Sequence, residues 1–164
     1  VVYIDFFRTA ASLVLIFWFF YAFPILIGVR WNAYSAATLA LGLQSGAYFA
    51  EVFRSGIQSI SFRQWEGAKS IGFNYFQCMR YVVLPQAIRR MIPVFFTRVI
   101  ELFKTTSLAA AITYPELAYK ASLIASMTYR PIETYTVIAG IYFVIVFSLS
   151  QGVRMLERRY AILN

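Results

Sequence analysis

Polar and apolar positions along the chain alternate between long uncharged runs and short charged ones. Residues 9–29, 31–50 and 134–153 contain no Asp, Glu, Lys or Arg. At ~1.5 Å of rise per residue, about 20 helical residues span ~30 Å, the thickness of a bilayer's hydrocarbon core. These runs predict three membrane-crossing helices. Only Arg30 separates the first two, so Gly28, Val29, Arg30, Trp31 and Asn32 are expected to form a tight helical hairpin. Pro24 is expected to kink or shorten the first span near its end. Gly42 and Gly46, four residues apart in the second span, suit close helix packing within one subunit or between two.

The stretch between the second and last runs begins with Arg54, Arg63, Lys69, Arg80, Arg89 and Arg90. Basic residues close to membrane ends favour the cytoplasmic side. Arg154, Arg158 and Arg159 in the C-terminal tail ask for the same side. Parity then requires one more crossing between residues 90 and 134, and residues 91–112 are the candidate. That helix carries Arg98, Glu101 and Lys104, each costing ~2.5–3.5 kcal/mol at a helix centre on the insertion scale. Their three-residue spacing predicts one shared face, turned to a protein interior or a water-filled path. Val94, Phe95, Val99, Leu102 and Phe103 are expected to cover the rest. Residues 109–127, with Pro115, Glu116 and Lys120, predict a bent amphipathic or re-entrant piece on the outer side. Tyr129, Arg130 and Pro131 mark the turn into the last span. The resulting expectation is an all-α integral membrane chain with about four spans, forming a single domain over residues 1–164.

Composition supports the membrane assignment. Apolar residues are 60% of the 164, charged residues 13%, and the mean hydropathy is +0.65; a soluble globule of this size would need a largely apolar surface. The absence of His excludes imidazole catalysis and most catalytic zinc sites. A lone Cys78 offers neither an internal disulfide nor a metal-binding spacing. The net charge of +8 is read as the positive-inside bias rather than as a nucleic-acid surface. None of the seven acidic residues sits in the setting of an acid/base dyad, and no G-x-x-x-x-G-K-[ST] phosphate cradle occurs. No enzyme activity, cofactor or metal is expected in this chain. It starts at Val1 rather than Met, without a cleavable leader pattern, and is expected to be a fragment of a longer protein.

The cytoplasmic stretch has its own pattern. Trp65, Ala68 and Ile71 recur at spacing three and predict a helix over residues 64–71. Gly72 follows where a left-handed residue closes a helix. Asn74 and Gln77 have the spacing of a capping box, opening a second helix over residues 75–84 that is expected to stop at Pro85. Helix, glycine turn, helix and proline together make a stiff bracket.

Glu66-Gly67-Ala68, then Gly72, then nine residues, then Val82-Val83-Leu84-Pro85 resembles the EAA loop of ABC-transporter permeases. That family's pattern is E-A-A, three residues, G, nine residues, I-x-L-P. Gly67 replaces the first Ala and Val82 the Ile, with the spacing kept. The resemblance extends to the polar amino acid permeases through Tyr3-Ile4-Asp5-Phe6-Phe7-Arg8-Thr9, the run 51–60, the run 84–93 and Lys104-Thr105-Thr106-Ser107-Leu108. Ala11-Ser12 stand near the family's usual Pro, and Thr105 stands where it usually has Asp. The resemblance implies a MetI-like ABC importer transmembrane domain, with a further membrane helix upstream. Residues 61–86 would be the loop that docks on a separate ABC ATPase subunit. Glu66 would be its polar anchor, Gly67 and Ala68 would permit close approach, Gly72 would set the angle between the helices, and Leu84-Pro85 would close the motif. Partners would be that ATPase, a second permease subunit, identical or not, and a periplasmic or lipoprotein solute-binding protein. The location would be the bacterial inner membrane, with the loop and C-terminus cytoplasmic.

Among the intramembrane residues, Arg98, Glu101, Lys104, Thr105 and Ser107 are the candidates for the substrate pathway. A guanidinium and a carboxylate on one helix face could meet the carboxylate and ammonium of an amino acid, with Arg98 and Lys104 favouring an acidic side chain. The competing reading is an internal Arg98–Glu101 pair, with Lys104 reaching toward the interface. An ion channel or a structural membrane subunit without ATP coupling is the alternative function.

Overall fold

In the first apolar stretch, Ala10 and Ala11 interrupt the helix, because Ala11 takes an extended conformation. The computed structural model describes residues 2–161, in which helix α1 (Val2–Thr9) meets the following helical run, Ser12–Ile27, at 102°. That run comprises α2 (Ser12–Phe17), a widened π turn (Trp18–Ala22) and α3 (Phe23–Ile27). Thr9, expected to open the first span, instead ends α1, its hydroxyl bonded back to the Asp5 carbonyl at 2.8 Å. The helix continues three residues past Pro24, to Ile27. The π turn before the proline places the Phe23 N–H on the Trp18 carbonyl, five residues back, and so accommodates a residue that has no N–H to give. The helix ends at Gly28, left-handed at φ +68, and Asn32 caps the next helix by accepting from Ser35 N at 2.7 Å. This is the hairpin the sequence predicts.

Helix α4 (Ala33–Gln58) is central. One end buries Ala36, Ala37, Ala40 and Leu41 against Leu15, Ile16 and Phe19 of the first span and against Ala109 and Ile112. Small side chains there let backbones approach closely, so that dispersion does the work that the hydrophobic effect cannot do between helices in lipid. The other end buries Val52 in a second core with Ile60, Val83, Ala87 and Met91. At Gly56 an added Cβ would overlap the Met91 side chain, so α4 and α7 touch closely here. Gly46 serves packing within the subunit: a Cβ would meet the Tyr3 hydroxyl at 3.2 Å, while Gly42 has open space around it.

Beyond α4 come α5 (Phe62–Ser70), α6 (Tyr75–Gln77), a π turn (Cys78–Val83) and α7 (Leu84–Thr105). The expected stop at Pro85 does not occur. Leu84 N–H bonds to the Met79 carbonyl across the π turn, and the Gln86 side chain donates to the Val82 carbonyl at 2.9 Å. One helical path therefore runs from Tyr75 to Thr105. A 3-10 stretch (Thr106–Ile112), α8 (Leu117–Thr128) and α9 (Pro131–Ala161) complete the fold, with left-handed Thr113 and Tyr129 making the corners. Helix α9 lies against α7 and α8. The backbone of Arg158 and Arg159 belongs to α9, and their side chains lie outside the described part.

By length and apolarity, Pro131–Leu156 of α9 is sufficient to cross a bilayer, and so is the bent pair of Val2–Thr9 and Ser12–Ile27 taken together. Helices α4 and α7, 26 and 22 residues long, would reach ~39 and ~33 Å at ~1.5 Å per residue. They are less apolar because both supply polar side chains to a cavity between them.

Candidate functional site

The bend after α1 leaves carbonyl groups that its own helix no longer satisfies. Helix α4 supplies the donors. Gln44, buried in the packing, gives its amide to the Ala10 carbonyl at 2.9 Å and to Phe7 at 3.3 Å, and the Tyr48 hydroxyl donates to Arg8 at 3.1 Å. Tyr3 returns a hydroxyl to the Leu43 carbonyl at 2.7 Å. Replacing Gln44 with Leu leaves two carbonyls short of a donor and is expected to cost about 1–3 kcal/mol. A fall in the thermal unfolding midpoint of the purified chain checks this, and an unchanged midpoint contradicts it.

The same side chains line a cavity of about 120 Å³ between α2, α4 and α7, whose walls include Ser12, Gln44, Tyr48, Arg98, Glu101 and Thr105. Arg98 donates to Glu101 at 2.5 Å, and its guanidinium lies 4.7 Å from the centre of the Tyr48 ring. Both charges are therefore engaged, the cation by a carboxylate and an aromatic face. The expectation that Arg98, Glu101 and Lys104 share one face needs correcting. Each three-residue step turns a helix by 300°, so Lys104 ends roughly 120° from Arg98. Lys104 lines the α7/α9 side, with Glu101 and Arg154 in one groove and with Ser107 and Tyr142 in another. Glu101 alone of the charged residues reaches both sides. Gln44 and Tyr48 were not among the expected site residues; the signal in the sequence was a polar amide within a largely apolar run, with nothing to single out Tyr48.

Past Ala50, the last residue of that run, Glu51 pairs with Arg54 at 2.5 Å and Arg8 at 3.5 Å. The hydrogen bond from Arg54 holds the Glu51 carboxyl below its ordinary range, against desolvation that pushes it up and with the charges of Arg54 and Arg8 adding to the lowering. The tie between α1 and α4 is thus present near neutral pH and is lost only as acid protonates Glu51.

In the bracket, Gly72 is left-handed at φ +86, and Asn74 and Gln77 exchange both capping-box bonds at 2.9 Å. Ala68 is buried, and the half-buried Trp65 packs against the core that holds Val83 and Met91 and stacks on Tyr75. Ile71, expected to be the last residue of that helix, lies just past its end and stands 68% exposed. The chain leaves α5 just before it, so Ile71 follows the turn rather than the helix period. Ala68, expected to permit approach of a partner, faces inward; Glu66 and Gly67 are exposed, and a Cβ at Gly67 would meet nothing within 4 Å. Leu84 is half-buried and Pro85 exposed, at the start of α7. Arg90 ties the base of the bracket to α4 by donating to the Ser59 carbonyl at 2.6 Å.

The bracket thus stands on a helix that continues into a charged cavity. The chain belongs to the family of binding-protein-dependent transport system inner membrane components, whose description matches residues 1–162. It is 39% identical over 159 residues to a Bacillus subtilis protein named "Probable amino-acid ABC transporter permease protein YckA", covering 97% of this chain and 70% of that one. It is 36% identical over 164 residues to the nopaline transport system permease protein NocM of Agrobacterium fabrum, covering 94% and 68%. A solved chain described as the crystal structure of an amino acid ABC transporter with histidines superposes with a TM-score of 0.91 at 35% identity, over 96% of this chain and 73% of that one.

Proposed function

We propose that this chain is the membrane-spanning permease subunit of an ATP-driven importer of polar amino acids, coupled through residues 61–86 to a separate ATPase. The observation that carries the coupling is the unbroken helical path from the Asn74 cap to Thr105. At ~1.5 Å per residue its 31 or so residues reach ~46 Å, of which ~35–39 Å separate the bracket from the Arg98–Glu101 pair. Force applied by a nucleotide-driven partner to α5, which packs on the π turn, therefore reaches the charged pair along one continuous helix. Glu66, exposed on α5, is the group that partner grips, and Gly72 fixes the angle at which α5 meets the path. Inward- and outward-open states then differ in how α7 lies against α4 and α9. Arg98 and Glu101 exchange their mutual bond for the carboxylate and ammonium of the cargo, with Thr105 beside them, Lys104 on the α7/α9 side and Ser107 in the 3-10 stretch that follows.

The partners are an ABC ATPase, a second permease subunit that duplicates the bracket, and a solute-binding protein on the far side, with the bracket and C-terminus cytoplasmic. Names among the relatives support amino acids as cargo. The experiment is uptake of radiolabelled amino acids by the assembled transporter in proteoliposomes. ATP-dependent uptake is expected, and solute flux without ATP would instead make the chain a channel. A finer test uses the left-handed turn. Asn tolerates φ +86, so Gly72→Asn is expected to transport nearly as wild type, whereas Gly72→Val adds ~1–2 kcal/mol of backbone strain. Gly72→Val should keep membrane insertion but lose cargo-stimulated ATPase; full stimulation in that variant contradicts the hinge role.

A further inference from the structure

We propose that a second cavity, at the N-terminal end of α4, is a waiting station for the cationic group of the cargo, a primary ammonium or a guanidinium. This rests on the reading of the cargo as an amino acid. The cavity, of about 440 Å³, is lined by Tyr34, Thr38, Gly42, Tyr114, Glu116 and Leu102 among others. That volume falls within the ~300–1,000 Å³ of small-molecule sites. Its walls are mostly apolar, and Glu116 is their one charged group.

Glu116 is held in place by two donors, Tyr119 N at 2.8 Å on one oxygen and the Tyr142 hydroxyl at 3.2 Å on the other. Neither neutralises it. The ion pairs among the described residues are Arg8–Glu51, Arg54–Glu51 and Arg98–Glu101, and none involves Glu116. A fixed carboxylate without an internal cation, in an apolar-walled cavity, attracts a positively charged guest. The Tyr34 and Tyr114 rings, 5.9 Å apart, add faces that favour the same charge.

Position gives the cavity its role. Leu102 lines both this cavity and the one that holds Arg98 and Glu101. The two spaces lie along one side of α4, and Leu102 is the partition between them. Cargo held by its cationic end at Glu116 needs only a displacement of that side chain, as α7 moves, to reach Arg98.

The test introduces Gly42→Cys, at a position where a Cβ meets nothing within 4 Å, together with Cys78→Ala to remove the native thiol. The assembled transporter is placed in lipid nanodiscs, where both membrane faces are accessible. It is then labelled with a trimethylammonium or a sulfonate methanethiosulfonate, and the rates are normalised to those with a free thiol. The cationic reagent is expected to react ~10-fold or more faster, within the range by which charged clefts concentrate counter-ions. Adding Glu116→Gln, which keeps the acceptor for Tyr119 N, is expected to bring the ratio near unity. Equal rates with Glu116 present, a ratio insensitive to Glu116→Gln, or labelling only by an uncharged maleimide would each overturn the proposal. Uptake by the unmodified transporter reports separately on the cargo, so failure of either reading is visible without the other.

Discussion

Ala68→Asp is expected to abolish coupled transport while leaving the chain in the membrane. Ala68 is 4% exposed on α5, the helix that packs against the π turn. A carboxylate there has to shed its water without a partner in return, because Arg63, Lys69 and Arg80 on the same bracket are exposed. An uncompensated buried charge costs about 3–5 kcal/mol. That exceeds what a nine-residue helix gains from one half-buried Trp65 and its stack on Tyr75. Helix α5 then leaves its seat, and a partner that moves it no longer moves α7. Since each ~1.4 kcal/mol is a factor of ten, ATP-driven uptake should fall by ~100-fold or more. Gly67→Ala, one residue away and facing open space, is expected to stay close to wild type. The contrast between neighbours isolates packing from a general intolerance of the loop. Wild-type uptake in Ala68→Asp would mean that the seat of α5 is immaterial to coupling.

The second large effect is expected at Arg98. Its bond to Glu101 is charge-assisted, worth about 1.5–3 kcal/mol, and its contact with the Tyr48 face adds about 0.5–2 kcal/mol. If cargo takes over the guanidinium during transport, Arg98→Ala removes the larger part of that interaction and lowers kcat/KM for uptake by ~10- to 150-fold. Arg98→Lys keeps the charge but loses the planar fork and the ring contact, and is expected to fall between. Competition with acidic, neutral and basic amino acids separates two explanations. A group that touches cargo changes the order of preference, whereas one that only holds Glu101 lowers all rates alike. Unchanged KM and unchanged selectivity in Arg98→Ala would remove Arg98 from the pathway.

How much of this was legible beforehand varied with the range of the physics involved. The hairpin at residues 28–32, the left-handed Gly72 and the Asn74–Gln77 capping box all depend on atoms a few bonds apart, and each appears as expected. Pro85 does not behave as local rules suggest. Its missing N–H should end a helix, yet the π turn before it keeps the helix whole. The wider hydrogen-bond ring is an added cost that packing against neighbouring helices offsets, and single-chain propensity contains no such offset. Counting by threes also misplaces Ile71 and Lys104. Helix α5 ends just before Ile71, and the drift of α7 carries Lys104 away from the face that such counting assigns.

The amino-acid sequence alone determined that the chain is helical and apolar enough for a bilayer, and where its turns, caps and bracket motif lie. Those properties follow from residue type and spacing, since backbone sterics and hydropathy act locally. Only the tertiary structure decided that Gln44 and Tyr48 hold the bend of α1 and that Leu102 stands between two cavities. These depend on which faces of α1, α2, α4 and α7 come together, and that is set by the joint packing of small residues from distant segments.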